Sequence, residues 1–321
     1  MRKIAVLAYD NCLLSGIAGQ LDLFTIANWE QRRRKEPPFC RHEIVALDGE
    51  PVTSFNRMPV SANRSLAECQ DADLILVPGM MGRPEQLFEQ KELIAWLKQQ
   101  AQRGAIIASA CSGAFLLAET GLLKGREATT HWQLADRFRR RYPKITLDID
   151  RLIIDGEDYL CAGGTSAHQD LALYLIEKFA SKQLAKACAR MMLIDNSKRD
   201  QAPFVNFRGS KSHGDAPILK VQQLIDKNFR GKVVVKELAL ASGLNERTFL
   251  RRFRKATGES PLEYVQRMRI EQAKKLLSGS EWQLEQITRT VGYEDVSSFR
   301  RLFKQIVGMS PTVYRQRFSA D

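Results

Sequence analysis

The sequence predicts an α/β domain with a doubly wound parallel sheet, followed by an all-α domain. Three observations carry that prediction. Over residues 1–195, short apolar runs alternate with segments of helical periodicity, the pattern of a parallel sheet covered on both faces. Beyond residue 216 only helical periodicity remains, and it repeats itself once. The length, 321 residues, is about twice that of a usual domain. The expected division is 1–197 for the α/β domain, 198–216 for a linker and 217–321 for the helical domain.

In chain order, residues 4–9 read as the first strand and 15–29 as a helix with Leu21, Phe24, Ile26 and Ala27 on its apolar face. Residues 43–47 form a strand, and Leu74-Ile75-Leu76-Val77 a buried strand closed by Pro78-Gly79. Residues 84–103 are helical, with Leu87, Phe88, Leu93, Ile94 and Leu97 at three- and four-residue spacings. Residues 105–110 make another continuous apolar strand, and 112–119 a helix that Gly121 closes. Residues 167–195 read as purely helical. The stretch 198–216, with Pro203, Gly209, Ser210, Lys211, Ser212, His213 and Gly214, has no apolar period and reads as a linker.

Hydrophobic residues make up 44% and charged residues 27%, which excludes a disordered, collagenous or disulfide-framework chain. No apolar run approaches a membrane span. Arg2 and Lys3 precede the first run, but Asp10 and Asn11 close it without a cleavage site, so a buried strand is favoured over a signal peptide. Six cysteines lack any CxxC, and four histidines lack metal-ligand spacing. A reduced cytoplasmic protein without metal or other cofactor is expected. Of the formal net charge of +12, residues 216–321 carry +9. That asymmetry suggests an anionic partner, nucleic acid first. The runs 32–35 and 137–141 read as solvated basic faces.

The repeat sharpens this. Leu238, Gly243, Phe249, Phe253, Gly258, Ser260, Pro261, Tyr264 and Arg267 recur as Ile287, Gly292, Phe299, Phe303, Gly308, Ser310, Pro311, Tyr314 and Arg317. Each copy has the helix-turn-helix pattern, over about 235–257 and 284–307. A short helix ends at a glycine, and the next helix buries two phenylalanines four residues apart. The outer face of that helix carries Arg247, Thr248, Arg251, Arg252 and Arg254 in the first copy, with Ser297, Ser298, Arg300, Arg301 and Lys304 in the second. Arginine can donate two bonds to guanine, and short hydroxyls approach bases or phosphates closely. Ser260-Pro261-Leu262-Glu263 starts the long helix between the copies with a capping-box pattern.

Residues 217–318 closely resemble the AraC/XylS DNA-binding domain, through Val291-Gly292-Tyr293, Phe299, Phe303-Lys304, Gly308, Ser310-Pro311 and Tyr314-Arg315. The resemblance implies a sequence-specific transcription regulator, usually an activator, with promoter DNA and RNA polymerase as partners. By position it assigns groove contacts to Arg247, Leu250 and Arg251, then Ser297, Arg300 and Arg301. Leu250 would meet a thymine methyl or the backbone.

In the first domain, residues 105–114 read as strand, sharp turn and helix with Cys111 at the corner, a nucleophile-elbow pattern. Small Ser112 and Gly113 allow close approach, and Thr129-Thr130-His131-Trp132 and 162–167, with Thr165, are placed to complete a pocket. Three readings of Cys111 stand open: a plain buried thiol, a nucleophile, or a pocket lining. His131 reads as a pocket member or a satisfied core histidine, Trp132 as packing or an aromatic wall. Residues 1–195 resemble the ThiJ/PfpI domain, a flavodoxin-like, class I glutamine-amidotransferase-like fold. The resemblance rests on Val77-Pro78-Gly79, Cys111-Ser112-Gly113, Thr130-His131-Trp132 and Gly163-Gly164-Thr165. Joined to an AraC-type tail, this resembles the GlxA group of regulators. It implies a small-molecule effector in a pocket of Gly79, Cys111, Ser112, His131, Trp132 and Thr165. Enzymes of this fold place a carboxylate beside the cysteine from the segment after the first strand, and here residues 11–16 hold no acid. The expectation is therefore a dimeric regulator without catalytic residues. The alternative is a cysteine-dependent hydrolase or amidase with a DNA-binding tail.

Overall fold

The computed structural model describes residues 1–195, 200–207, 209–211 and 213–319. Lys198 and Ser212 of the expected linker lie outside the described residues. The chain forms two compact units, Met1–Gln201 and Ala202–Asp321.

The first unit runs β1 (Arg2–Leu7), α1 (Leu14–Arg33), β2 (Cys40–Ala46), a ribbon of β3 (Val52–Thr53) and β4 (Pro59–Val60), β5 (Arg64–Ser65) and β6 (Leu74–Val77). It continues through α2 (Lys91–Gln102), β7 (Ile106–Ala110), α3 (Gly113–Glu119), β8 (Glu127–Ala128), α4 (Ala135–Arg141), β9 (Thr146–Leu147), β10 (Ile153–Asp155), β11 (Tyr159–Ala162), α5 (Ala167–Phe179) and α6 (Lys182–Met191). Seven strands form one sheet in the order β10-β11-β7-β6-β1-β2-β5. All neighbours are parallel except β10, which pairs antiparallel with β11. β6 and β11 are buried along their whole length, as strands covered on both faces must be. The winding reverses between β1 and β6, and such a reversal opens a crevice at the carboxyl ends of the strands.

Three details depart from the sequence expectation. The helix expected over 84–103 is a 3₁₀ turn, Pro84–Glu89, followed by α2. The helix expected over 167–195 is two, because Ser181 caps α6 by accepting the Leu184 N–H at 3.1 Å. Both halves bury apolar faces in one core, so the apolar period runs on across the break. The edge strand β10 makes the sheet mixed rather than purely parallel.

The second unit is helical: α7 (Ala216–Asn228), α8 (Val235–Ser242), α9 (Glu246–Thr257), α10 (Pro261–Gly279), α11 (Leu284–Thr290), α12 (Val296–Val307) and α13 (Pro311–Phe318). It has two small cores. One gathers Ile218, Val221, Phe249, Phe253 and Tyr264, the other Ile270, Ile287, Phe299, Phe303 and Tyr314. α10 serves both, and at 1.5 Å per residue its 19 residues span about 28 Å. Its capping box is formed in both directions between Ser260 and Glu263.

Within the stretch 198–216, read from sequence as a linker, residues 202–207, 209–211 and 213–215 are packed onto this unit. Phe204 meets Phe318 edge-on at 5.4 Å, and Phe207 meets Tyr264 at 5.2 Å. Buried Lys274 donates to the Val205 carbonyl. Buried Glu271 accepts from the Phe207 N–H at 3.2 Å, and buried Gln222 donates to the Ser210 carbonyl at 2.8 Å. Asp215 caps α7 by accepting the Ile218 N–H.

Candidate functional site

At the carboxyl edge of the sheet, Cys111 holds the corner between β7 and α3 with a φ of +54°. A non-glycine residue adopts that left-handed backbone only when its surroundings impose it. Here its N–H donates to the Ala162 carbonyl at 2.8 Å, and its carbonyl accepts from the Thr130 hydroxyl at 2.8 Å. Gly79 makes room for the elbow. A Cβ there would stand 2.8 Å from the Cys111 Cβ and 3.4 Å from its sulfur. Cys111 is 4% exposed. Burial pushes its thiol pKa up, while hydrogen bonds from the Ser112 backbone N–H and the Thr165 side chain pull the other way and do not prevail. The resting form at neutral pH is the protonated thiol.

Of the expected pocket residues, Gly79, Cys111, Ser112 and Thr165 come together. Ser112 is 1% exposed, and its hydroxyl is taken up by Met80, accepting from the N–H at 2.7 Å and donating to the carbonyl at 2.9 Å. It staples the end of β6 to the start of α3. Thr165 is exposed on the outer side of the thiol. His131 and Trp132 follow directly on Thr130; they are half-buried and stack on each other at 5.6 Å. The His131 Nδ1 accepts from the Gln133 N–H at 3.2 Å, and burial lowers its pKa, so the ring is neutral at physiological pH.

The sequence reading missed Tyr9 and Cys12. Tyr9 is buried, donates to the Pro78 carbonyl, and has its ionisation opposed first by burial and then by the neighbouring Cys12 and Cys111 thiols should they ionise. Tyr9 therefore lies within electrostatic reach of both the elbow and Cys12. Tyr9 closes the apolar run of the first strand and reads there as core, and Cys12 follows beyond Asp10 and Asn11 with no motif around it. Among the described residues, no carboxylate figures in what shifts the Cys111 thiol. Gln201, the last residue of this unit, is buried and donates to the Thr129 hydroxyl at 3.1 Å and the Thr130 carbonyl at 3.0 Å. At the opposite edge of the sheet, Glu43, Cys69 and Asp71 have metal-ligand spacing. Arg64 pairs with Glu43 at 2.8 Å and Asp71 at 3.2 Å, and Lys3 also pairs with Asp71, so protein cations already neutralise the trio.

In the second unit, Arg247, Leu250 and Arg251 are exposed on α9, with Thr248 half-buried; Ser297, Ser298, Arg300, Arg301 and Lys304 are exposed on α12. Asn245 caps α9 by accepting the Thr248 N–H at 2.9 Å, and Asp295 caps α12 by accepting the Ser298 N–H at 2.6 Å. From Arg251 to Ser260 and from Arg301 to Ser310 the burial pattern is identical residue by residue. Arg252 departs from the outward face read from sequence: both arms of its guanidinium donate to Asp215, at 2.9 and 2.7 Å. The remaining arginines, beside short hydroxyls on two helices of equal build, suit base edges and phosphates in successive major-groove segments.

Comparison with known proteins follows the same division. Residues 33–178 match the DJ-1/PfpI family, and residues 238–317 match a helix-turn-helix domain family. The HTH-type transcriptional regulator GbdR of Pseudomonas aeruginosa is 23% identical over 319 residues, covering 98% of this chain and 84% of that protein. The HTH-type transcriptional regulator GlxA of Rhizobium meliloti is 24% identical over 318 residues, covering 99% and 96%. An isonitrile hydratase of Pseudomonas putida is 28% identical over 204 residues, 61% of this chain and 86% of that enzyme. Among solved structures, an AraC family transcriptional regulator from Pseudomonas putida superposes with a TM-score of 0.53 at 19% identity, over 60% of this chain and all of that one.

Proposed function

The chain belongs to the AraC/XylS-type regulators that carry an N-terminal DJ-1/PfpI domain, and from that premise we propose that it binds promoter DNA through α9 and α12 under the control of a small molecule held at the Cys111 crevice. The observation that carries the reading is the pair of helices, each capped by a side chain and matched in burial from Arg251 to Ser260 and from Arg301 to Ser310, on the segment that holds three quarters of the excess positive charge. Arg247, Arg251, Arg300 and Arg301 read bases or phosphates, and Ser297 and Ser298 approach the backbone. Leu250 meets a thymine methyl, Thr248 steadies the first turn, and Lys304 takes a phosphate.

The effector sits against Cys111, Gly79 and Thr165, with the His131–Trp132 stack as a neutral wall. Its arrival is felt at Thr130, which holds both the Cys111 carbonyl and the Gln201 amide. The protein acts as a homodimer in the cytoplasm, activating through contact with RNA polymerase. Among the described residues, no helix is long and apolar enough to cross a membrane.

A second reading, a cysteine-dependent hydro-lyase or amidase with a DNA-binding tail, is favoured by the strained elbow and the isonitrile hydratase likeness. The raised thiol pKa opposes it, because attack needs the thiolate. One experiment separates the two. The full chain is screened against small metabolites by thermal shift, and each hit is tested for both turnover and a change in DNA binding. A ligand that raises the melting temperature and alters DNA binding without being consumed supports the regulator. Consumption that Cys111→Ser abolishes supports the enzyme.

A further inference from the structure

The first head is held by a contact the second lacks. Asp215, at the end of the segment 202–215, takes both arms of Arg252 on α9. The repeat places Leu302 at the equivalent position on α12, half-buried against the second core. The same segment is gripped further back by Gln222 and Glu271. These are 49 residues apart, the repeat's own offset, so both copies hold it from equivalent positions. At its start it packs on α13, the last helix of the second head, through Phe204 and Phe318. Through Phe204, Phe207, Ser210 and Asp215 the segment therefore touches both heads, and it ends in an ion pair on the first recognition helix.

Resting on the reading of this chain as a DNA-binding regulator, we infer that residues 204–207, 210 and 215 act as a strap that sets the first reading head against the second, and that Arg252 is a positioning residue rather than a base reader. A two-armed guanidinium–carboxylate pair fixes orientation as well as distance. An arginine engaged in that way has fewer donors left for DNA. Because Asp215 also caps α7, the strap's end and the first head's supporting helix share one carboxylate.

The substitution Asp215→Asn tests this cleanly. Asparagine caps a helix as well as aspartate does, so the variant keeps α7 and removes only the charge facing Arg252. A duplex selected from a random pool by the full chain is footprinted with hydroxyl radicals. Arg251→Ala and Arg301→Ala identify which half-site belongs to which head. Asp215→Asn and Arg252→Gln should each weaken protection of the first head's half-site by about five- to tenfold and leave the second within about twofold. The double variant should be no worse than either single one, and Arg252→Lys should recover part of the loss. If Arg252 instead contacts DNA, Asp215→Asn frees it, and binding becomes equal or tighter with a steeper salt dependence. That result, or two variants that leave both half-sites unchanged, overturns the proposal. A full chain that selects no duplex at all overturns the regulator reading itself, and the strap with it.

Discussion

The helices α9 and α12 are built alike and presented differently. Both bury two phenylalanines completely, at ring separations of 5.5 and 5.8 Å. Both end at a glycine with a left-handed backbone, Gly258 and Gly308. Positions outside the core have diverged: exposed Leu250 stands opposite Arg300, half-buried Arg252 opposite Leu302, and the neutral cap Asn245 opposite the charged cap Asp295. Duplication has kept what packing demands and released what faces solvent or ligand. A core position tolerates little change in volume, whereas a surface position can be rewritten for a different stretch of DNA.

The equality of the cores makes the strongest prediction. Phe253→Ala and Phe303→Ala should each destabilise the helical unit by about 3–5 kcal/mol, measured by urea unfolding of the full chain. The two losses should agree within about 1 kcal/mol, since both rings are fully buried. A much smaller loss at one site would show that its core can collapse, and the likeness of the heads would be broken at its foundation.

The turn glycines should part company. Gly243 has a φ of +71° and open space where a Cβ would stand, so Gly243→Ala should cost only the left-handed penalty, about 1–2 kcal/mol. Gly292 has a φ of +92°, and a Cβ there would lie 2.3 Å from the Arg230 carbonyl oxygen. Gly292→Ala should add a further steric cost of about 1–3 kcal/mol. Equal melting shifts for the two variants would mean that the Arg230 backbone yields freely.

These contrasts mark how far the residues could be read without coordinates. The fold class, the repeat and the helix α12 were legible because buried phenylalanines, turn glycines and capping residues obey local rules. The break at Ser181 was hidden by an apolar period that ran straight across it. The strap was hidden for a different reason. Its hold comes from Gln222, Glu271 and Lys274, polar residues whose burial depends on partners far along the chain. A composition of serine, glycine and lysine therefore looks like a tether. In the first unit, Cys111 could be found from its strand-turn-helix setting, whereas Tyr9 comes near it only through the parallel sheet.

The exposed arginines test the divergence directly. Arg251→Ala and Arg301→Ala should each cost about 1–3 kcal/mol of DNA affinity and relax preference at one base pair, in different half-sites. Quantitative footprinting at fixed salt measures both. A uniform loss across all sequences would instead assign these side chains to phosphates, with a salt slope lowered by about one for each.

The smallest expected difference concerns acid. The Asp295 carboxylate accepts from the side chain and backbone of Ser298, and these bonds hold its pKa below the ordinary aspartate value. A carboxylate with a depressed folded pKa contributes stability that is present above its unfolded pKa and disappears as pH falls through the folded one. The first turn of α12 should therefore loosen below about pH 4. The cap of α9 has no matching step, since the Asn245 amide does not titrate. Amide NMR shifts followed from pH 6 downward provide the measurement, with the Ser298 N–H moving and the Thr248 N–H staying in place until the unit unfolds. Asp295→Asn should remove the step while keeping the cap. If Thr248 moves together with Ser298 at the start of the titration, the two first turns are coupled through the body of the unit. The heads would then respond to acid as one block despite their different caps.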